Sequence, residues 1–199
     1  MRMPTNSVFL SSAVPLPVEN IDTDQIIPAR FLKQVTKDGF GENVFRDWRY
    51  GKNDEPNPHF VLNKPLYRGS ILVAGKNFGC GSSREHAAWA LKQYGFDVVI
   101  SSEFADIFRN NALNNGILPV EVSDEFLDHI LKCIERDPTV SLEIDLDKQT
   151  CTIPDDGSSE DFEINPFKKQ CLSQGMDELD YLISLASDVR AFEATHKIY

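Results

Sequence analysis

Residues 75–91, G-K-N-F-G-C-G-S-S-R-E-H-A-A-W-A-L, constrain this chain more than any other stretch. An apolar run, Ser70-Ile71-Leu72-Val73-Ala74, leads into it and reads as a buried strand. Beyond the glycines, Ala87, Ala88, Leu91 and Tyr94 recur at the spacing of one helix face. Between these halves lie Gly75, Gly79 and Gly81, two serines and an arginine. A strand that turns through glycines into a helix N-terminus exposes backbone N–H groups. Those groups and the helix dipole favour an anion. The chemistry of the chain is expected here.

The neighbouring segments extend the pattern. Asp97-Val98-Val99-Ile100 reads as a strand, and Phe104 to Asn115 as a helix closed by Gly116. Ile117 to Val122 reads as a strand, with Pro119 marking an edge or a strand start. The middle of the chain is therefore β-α-β-α-β, an α/β layered arrangement. Ser123 caps a further helix, which Asp137-Pro138 ends. Val140 to Leu146 alternates like a half-buried strand. Thr150–Ile153 and Asp161–Ile164 flank the turn signal Asp155-Asp156-Gly157, with a loop longer than a tight hairpin. A last helix starts at Asp177, with Leu179, Leu182, Ile183, Ala186 and Val189 on one side.

Towards the N-terminus, Val8 to Val18 holds a first strand, ended by Pro15 and Pro17. Asn20 to Arg30 then reads in two ways. One is an Asx-type turn into a short strand. The other is a polar loop whose Asp22 and Asp24 carboxylates orient a cation or an arginine. Residues 33–64 hold Gly39, Gly41, Gly51, Pro56 and Pro58, interleaved with Phe40, Phe45, Trp48 and Tyr50. This is too long for an ordinary connection, and its aromatics argue against simple disorder. It reads as a mobile flap that packs on a ligand or partner, or as a short helix near Val44 to Trp48 covering the core. No internal repeat or domain boundary is visible, so residues 1–199 are expected to form a single domain.

Composition excludes some functions. A chain of 199 residues can bury a real core, and a net charge of −11 makes it a poor general binder of nucleic acid. No segment approaches the roughly 20 apolar residues of a membrane span, and the first twenty residues hold no signal sequence. Cys80, Cys133, Cys151 and Cys171 are scattered without a C-x-x-C pair. No zinc knuckle, iron–sulfur ligand set or other metal site is read from this spacing. Free thiols point to the cytoplasm.

Several motif readings compete at the glycine loop. It is not a Walker A motif, because no Gly-Lys-Ser/Thr closes it. Gly79-Cys80-Gly81-Ser82-Ser83-Arg84 opens like a dinucleotide fingerprint, but Arg84 stands where the third glycine should. Ser82-Ser83-Arg84-Glu85 fits a capping box with Ser82 at the N-cap. In the shifted register Ser83 caps instead, and the Ser82 hydroxyl faces the anion pocket. Arg84 can clamp a carboxylate bidentately. Cys80 reads as an activated thiol or as a small residue between glycines, and His86 as an orienting group or a structural histidine.

G-C-G-S-S-R-E-H-A, with D-T-D-Q-I-I-P-A-R before it and F-A-D-I-F-R-N-N-A-L-N-N-G-I-L-P after it, resembles the 3-isopropylmalate dehydratase small subunits of the aconitase superfamily. The three segments stand in that family's order and span residues 20 to 120. The resemblance implies a layered swivelling β/β/α domain of the aconitase C-terminal type. It implies a hydro-lyase of leucine biosynthesis that converts 2-isopropylmalate to 3-isopropylmalate by dehydration and rehydration. It also implies a large-subunit partner, without which this chain is inactive. That partner would hold a [4Fe-4S] cluster acting as a Lewis acid, and this chain would hold none. By position, Ser82 matches the serine base and Arg84 the arginine that binds a substrate carboxylate. Ser83 adds a hydrogen bond or backbone donor, and Asp22, Thr23, Asp24, Gly79 and Gly81 support the site. The 33–64 segment would set side-chain specificity. The alternatives are the small subunit of a related hydro-lyase, for homoaconitate or 2-methylmalate, and a non-catalytic anion-binding assembly subunit.

Overall fold

The computed structural model describes residues 7–32 and 39–196. The first element among the described residues is strand β1 (Val8–Leu16), followed by short helices α1 (Thr23–Ile26) and α2 (Arg46–Arg49). Then β2 (Ile71–Ala74), α3 (Glu85–Tyr94), β3 (Val98–Ser101), α4 (Asp106–Asn114) and β4 (Leu118–Glu121) alternate. Helix α5 (Asp124–Arg136) precedes strands β5 (Ser141–Asp145), β6 (Thr150–Ile153) and β7 (Ser158–Asp161). Helices α6 (Pro166–Gln174), α7 (Glu178–Ser184) and α8 (Ala186–Thr195) complete the described chain.

One seven-stranded sheet runs in the order β4-β3-β2-β1-β5-β6-β7. Strands β1 to β4 are parallel, joined by helical crossovers, whereas β5, β6 and β7 add antiparallel to the other side of β1. The expected α/β layering is thus present in a mixed sheet. Pro119 lies in β4, the edge strand, as a proline should. Pro15 does not end β1 but lies within it. Residues 8–12 of β1 pair with β5 and residues 13–16 with β2, so each half of this strand has one neighbour. A proline, which has no N–H to donate, is tolerated on the open side.

The parallel strands β2 and β3 are buried at every position because both faces are covered. Ile71, Val73, Val98 and Ile100 point to one core, with Phe126, Leu127, Ile130 and Ile134 of α5. Leu72, Ala74 and Val99 point to the other, with Ala87, Ala88 and Leu91 of α3 and Phe108 and Ala112 of α4. The period of two along each strand divides the residues between these layers. Ser123 caps α5 as expected, its hydroxyl accepting from Phe126 N–H at 3.2 Å.

Several expectations change. From residue 39 onward the segment read as a flap is a folded cap on the second core, while residues 33–38 lie outside the described residues. Phe40, Val44 and Phe45 are fully buried, and Trp48 stacks on Phe45 at 5.5 Å. The helix reading of this segment matches α2, and burial of these rings explains how a stretch punctuated by glycines packs on the core. The β6–β7 connection is a tight hairpin, because β7 begins at Ser158 rather than Asp161. Its strand is polar and alternates between half-buried and exposed positions, so hydrophobic alternation gave no sign of it. The C-terminal helix is two helices that part at Leu185, and Leu179, Leu182, Ile183 and Val189 are exposed rather than packed.

Candidate active site

The three sequence segments meet at the turn between β2 and α3. Asn20 N–H donates to the Lys76 carbonyl at 2.8 Å, Gly79 N–H to Ile21 at 2.8 Å, and Thr23 N–H to Cys80 at 2.9 Å. The Thr23 hydroxyl donates to the Ser82 carbonyl at 2.9 Å. The D-T-D segment is therefore laced to the glycine loop by main-chain bonds. From the other side, Phe78 pairs with Phe104 across an isolated bridge, and its ring meets Phe108 edge-on at 5.0 Å.

The D-T-D segment is neither an Asx turn into a strand nor an open loop. It is the one-turn helix α1, with Asp22 at the N-cap. The Asp22 carboxylate accepts from Gln25 N–H at 2.8 Å, and the Gln25 side chain accepts from Asp22 N–H at 2.8 Å. This reciprocal capping box occupies Asp22 structurally and leaves Asp24 facing outward. Thr23 is buried at 2 % exposure and is spent on the loop bond.

Two glycines make the loop possible. Gly79 has φ +77°, and a Cβ there would lie 2.2 Å from Cγ of Phe108. Gly81 has φ +89°, and a Cβ there would lie 3.3 Å from the Asp22 Cβ. Both need the left-handed region that glycine enters without steric cost. Gly79 in addition lets the third segment pack against the loop.

Neither serine caps α3. The N-cap position belongs to Arg84, whose side chain makes no capping bond. The capping-box expectation for Ser82 fails, and so does its one-residue shift to Ser83, because the helix starts two residues later than the first register requires and one later than the second. Ser82 and Ser83 are exposed, and their hydroxyls have no partner among the described residues. The backbone N–H groups of Ser82, Ser83 and Arg84 likewise donate to no acceptor among them. These donors lie at the positive end of a ten-residue helix.

Arg84 is mostly shielded, with 19 % of its side chain exposed, and its Nη1 is ion-paired to an Asp24 carboxylate oxygen. Nε and Nη2 have no partner among the described residues. Asp24 thus holds the guanidinium from one side and leaves the rest of its fork available. A planar guanidinium with two free N–H directions binds a carboxylate bidentately.

The other two residues weighed in the loop are structural. Burial and then the nearby Asp22 carboxylate push the Cys80 thiol above its ordinary range, the opposite of activation. His86 is packed between Phe40 and Trp89, with ring centroids 5.3 and 4.6 Å away. The arginines of the preceding segment are also engaged. Arg30 pairs with Asp47, Arg46 pairs with Asp54 at 2.8 Å, and Arg49 stacks on Tyr94 and donates to Asn63 and to backbone carbonyls. The pair matches the expectation that a D-T-D carboxylate orients an arginine; which carboxylate and which arginine were not readable, since 60 residues separate Asp24 from Arg84. The coupling of D-T-D to the loop through Thr23 was equally invisible.

The family model of the aconitase C-terminal domain matches residues 10–125. The chain is 58% identical over 182 residues to the 3-isopropylmalate dehydratase small subunit of Christiangramia forsetii, covering 92% of this chain and 89% of that one. It is 57% identical to the small subunit from Cytophaga hutchinsonii, over 94% and 93% of the two chains. A solved 3-isopropylmalate dehydratase structure from Methanocaldococcus jannaschii superposes with a TM-score of 0.67 at 26% identity, covering 94% of this chain and 99% of that one. A glycine loop carrying an uncapped serine and an arginine, set on the aconitase C-terminal fold and shared with relatives along nearly its whole length, places the chain in the 3-isopropylmalate dehydratase small-subunit family.

Proposed function

We propose that this chain acts as the small subunit of 3-isopropylmalate dehydratase, interconverting 2-isopropylmalate and 3-isopropylmalate by dehydration and rehydration in leucine biosynthesis. Its part is to supply the base and the carboxylate clamp to an active site shared with a large subunit. The observation that carries this reading is the free Ser82 hydroxyl beside Arg84 and a row of uncommitted N–H groups.

Arg84 binds a substrate carboxylate through the part of its fork that Asp24 leaves open. Ser83 adds a hydroxyl or a backbone donor. This anchoring sets the neighbouring C–H bond against Ser82 Oγ, which takes the proton alpha to the carboxylate and returns it on rehydration. A serine hydroxyl in water is far too weak an acid to serve as an alkoxide base near neutral pH. Here the alkoxide faces the α3 N-terminus, the loop N–H groups and Arg84, all fixed before substrate arrives. Preorganised donors of this kind favour developing negative charge much more than water does. Thr23 and Asp24 keep the loop and the guanidinium in that arrangement.

The cysteines of this chain do not fit an iron–sulfur cluster. Cys133, Cys151 and Cys171 are buried on separate elements, and the one close grouping of metal-capable side chains among the described residues holds a single cysteine. We therefore assign the [4Fe-4S] cluster to the large subunit. Burial drives Cys151 up to about 12, and all four thiols are free, which supports a reducing cytoplasm as the working compartment. We place recognition of the isopropyl group in the segment between the D-T-D turn and residue 64. Phe45 N–H ties that segment to the Ile26 carbonyl at 2.8 Å, beside Asp24.

Reconstitution with a cluster-bearing large subunit tests this reading. The complex should turn over isopropylmalate in preference to homocitrate-type and 2-methylmalate substrates. A higher kcat/KM for either of the others would overturn the substrate assignment.

A further inference from the structure

A second chemically competent cluster lies on the other face of the sheet, where α5 builds the core. His129 and Cys133 stand one turn apart on α5, and the β6–β7 hairpin turn brings Asp156 against them. His129 Nε2 is 2.7 Å from Asp156 Oδ2. Cys133 Sγ is 3.9 Å from His129 Nε2 and 4.0 Å from Asp156 Oδ2. We propose that His129, Cys133 and Asp156 form a binding site for a divalent cation of the zinc class, clamping the β6–β7 hairpin to α5.

The donor set fits such an ion. A thiolate, an imidazole and a carboxylate are the ligands zinc accepts, at about 2.0–2.3 Å from the metal. Tetrahedral bonds of that length put neighbouring donors roughly 3.3–3.6 Å apart. The three distances bracket this range, so small side-chain rotations suffice. Cys133 is 6% exposed at the margin of the α5 core, with its sulfur within 4.0 Å of both other donors. The side chains of His129 and Asp156 are 39% and 38% exposed, which leaves a fourth position open to water.

The surrounding groups hold the donors in place. Ser158 donates to Asp156 Oδ1 through its N–H at 2.9 Å and its hydroxyl at 2.5 Å, so Oδ2 is left to face His129. Arg136 Nη2 lies 3.0 Å from Cys133 Sγ. Its charge opposes a cation, but its N–H is also a donor to a metal-bound thiolate, the kind of outer partner that orients ligands. Two anionic donors outweigh one guanidinium. The hairpin is the free edge of the sheet, tied to α5 elsewhere by Ser123 N–H and hydroxyl bonds to Glu160 at 2.5 and 2.7 Å. The metal would fasten the opposite end of the same hairpin.

The test uses the full-length chain, stripped with a chelator and titrated with Co2+, then with competing Zn2+. The wild-type chain should bind one equivalent of Co2+. Its spectrum should show a thiolate charge-transfer band in the near ultraviolet and visible bands of tetrahedral intensity, both abolished by Zn2+. Saturating Zn2+ should raise Tm by at least about 4 °C. His129→Gln should lose the bands and the Tm shift while keeping the wild-type far-ultraviolet dichroism. Asp156→Asn, in an exposed turn, is the second variant and should weaken Co2+ binding by at least about tenfold. Overturning results are no binding by the wild-type chain, meaning a His–Asp hydrogen bond only, or identical spectra in wild type and both variants, meaning other ligands.

Discussion

Arg84 shows how one side chain can be both held and available. Its Nη1 is committed to Asp24, and Nε and Nη2 have no partner among the described residues. Arg84→Lys keeps the charge but loses the planar fork, and should cost roughly 2–3 kcal/mol of transition-state binding, about 30- to 150-fold in kcat/KM. Steady-state kinetics of the reconstituted variant measures this, and an unchanged kcat/KM would remove Arg84 from the clamp. Gly79 is constrained twice over, by its positive φ and by Phe108 at 2.2 Å from where a Cβ would stand. Gly79→Ala should destabilise the chain by about 2–4 kcal/mol, read from the urea midpoint. At this scale the residue types were legible in the sequence, because glycines, serines and an arginine at a strand-to-helix turn have few uses. Which serine caps the helix was not legible. Both registers satisfy the same capping pattern, and only the path of the loop decides that neither is used.

Elements were legible where burial imposes a period. β2, β3 and α5 emerge from their apolar spacing, and Ser123 marks the start of α5. Strand β7, polar and alternating between half-buried and exposed positions, was displaced by three residues in the sequence reading, and α1 was missed because a one-turn helix has no period. Its Asp22–Gln25 capping box was nonetheless written in the sequence. The turn between β5 and β6 rests on Asp145. Its carboxylate accepts from Lys148 N–H at 2.9 Å and Asp147 N–H at 3.0 Å and pairs with the Lys148 ammonium at 2.9 Å. The Lys148 N–H and ammonium, chiefly, hold its pKa below the ordinary carboxylate value. A depressed folded-state pKa contributes stability that is complete above the unfolded value of about 4 and is lost as pH falls below it. Urea midpoints at pH 5 and pH 3 should therefore drop further in wild type than in Asp145→Asn. Equal drops would show that Asp145 contributes no pH-dependent stability.

The whole molecule presents its chemistry on an open face. Ser82 and Ser83 are exposed and their hydroxyls have no partner among the described residues, an arrangement suited to being covered by another subunit. An overall charge of −11 does not oppose the proposed anion site, since local donors would act at a few ångströms while distant charges are screened by salt. Membership of a small-subunit family was legible in the three co-ordered segments. That those segments touch, with Thr23 bonded to the Ser82 carbonyl and Phe108 filling the space under Gly79, could be known only from the fold. The most direct measurement is the turnover of a complex reconstituted from Ser82→Ala and a cluster-loaded large subunit. With Ser82 as the base, assembly and substrate KM should stay near wild type while kcat falls by about 10²–10⁴-fold. A kcat within about threefold of wild type, a change of less than roughly 0.7 kcal/mol in the barrier, would contradict the assignment.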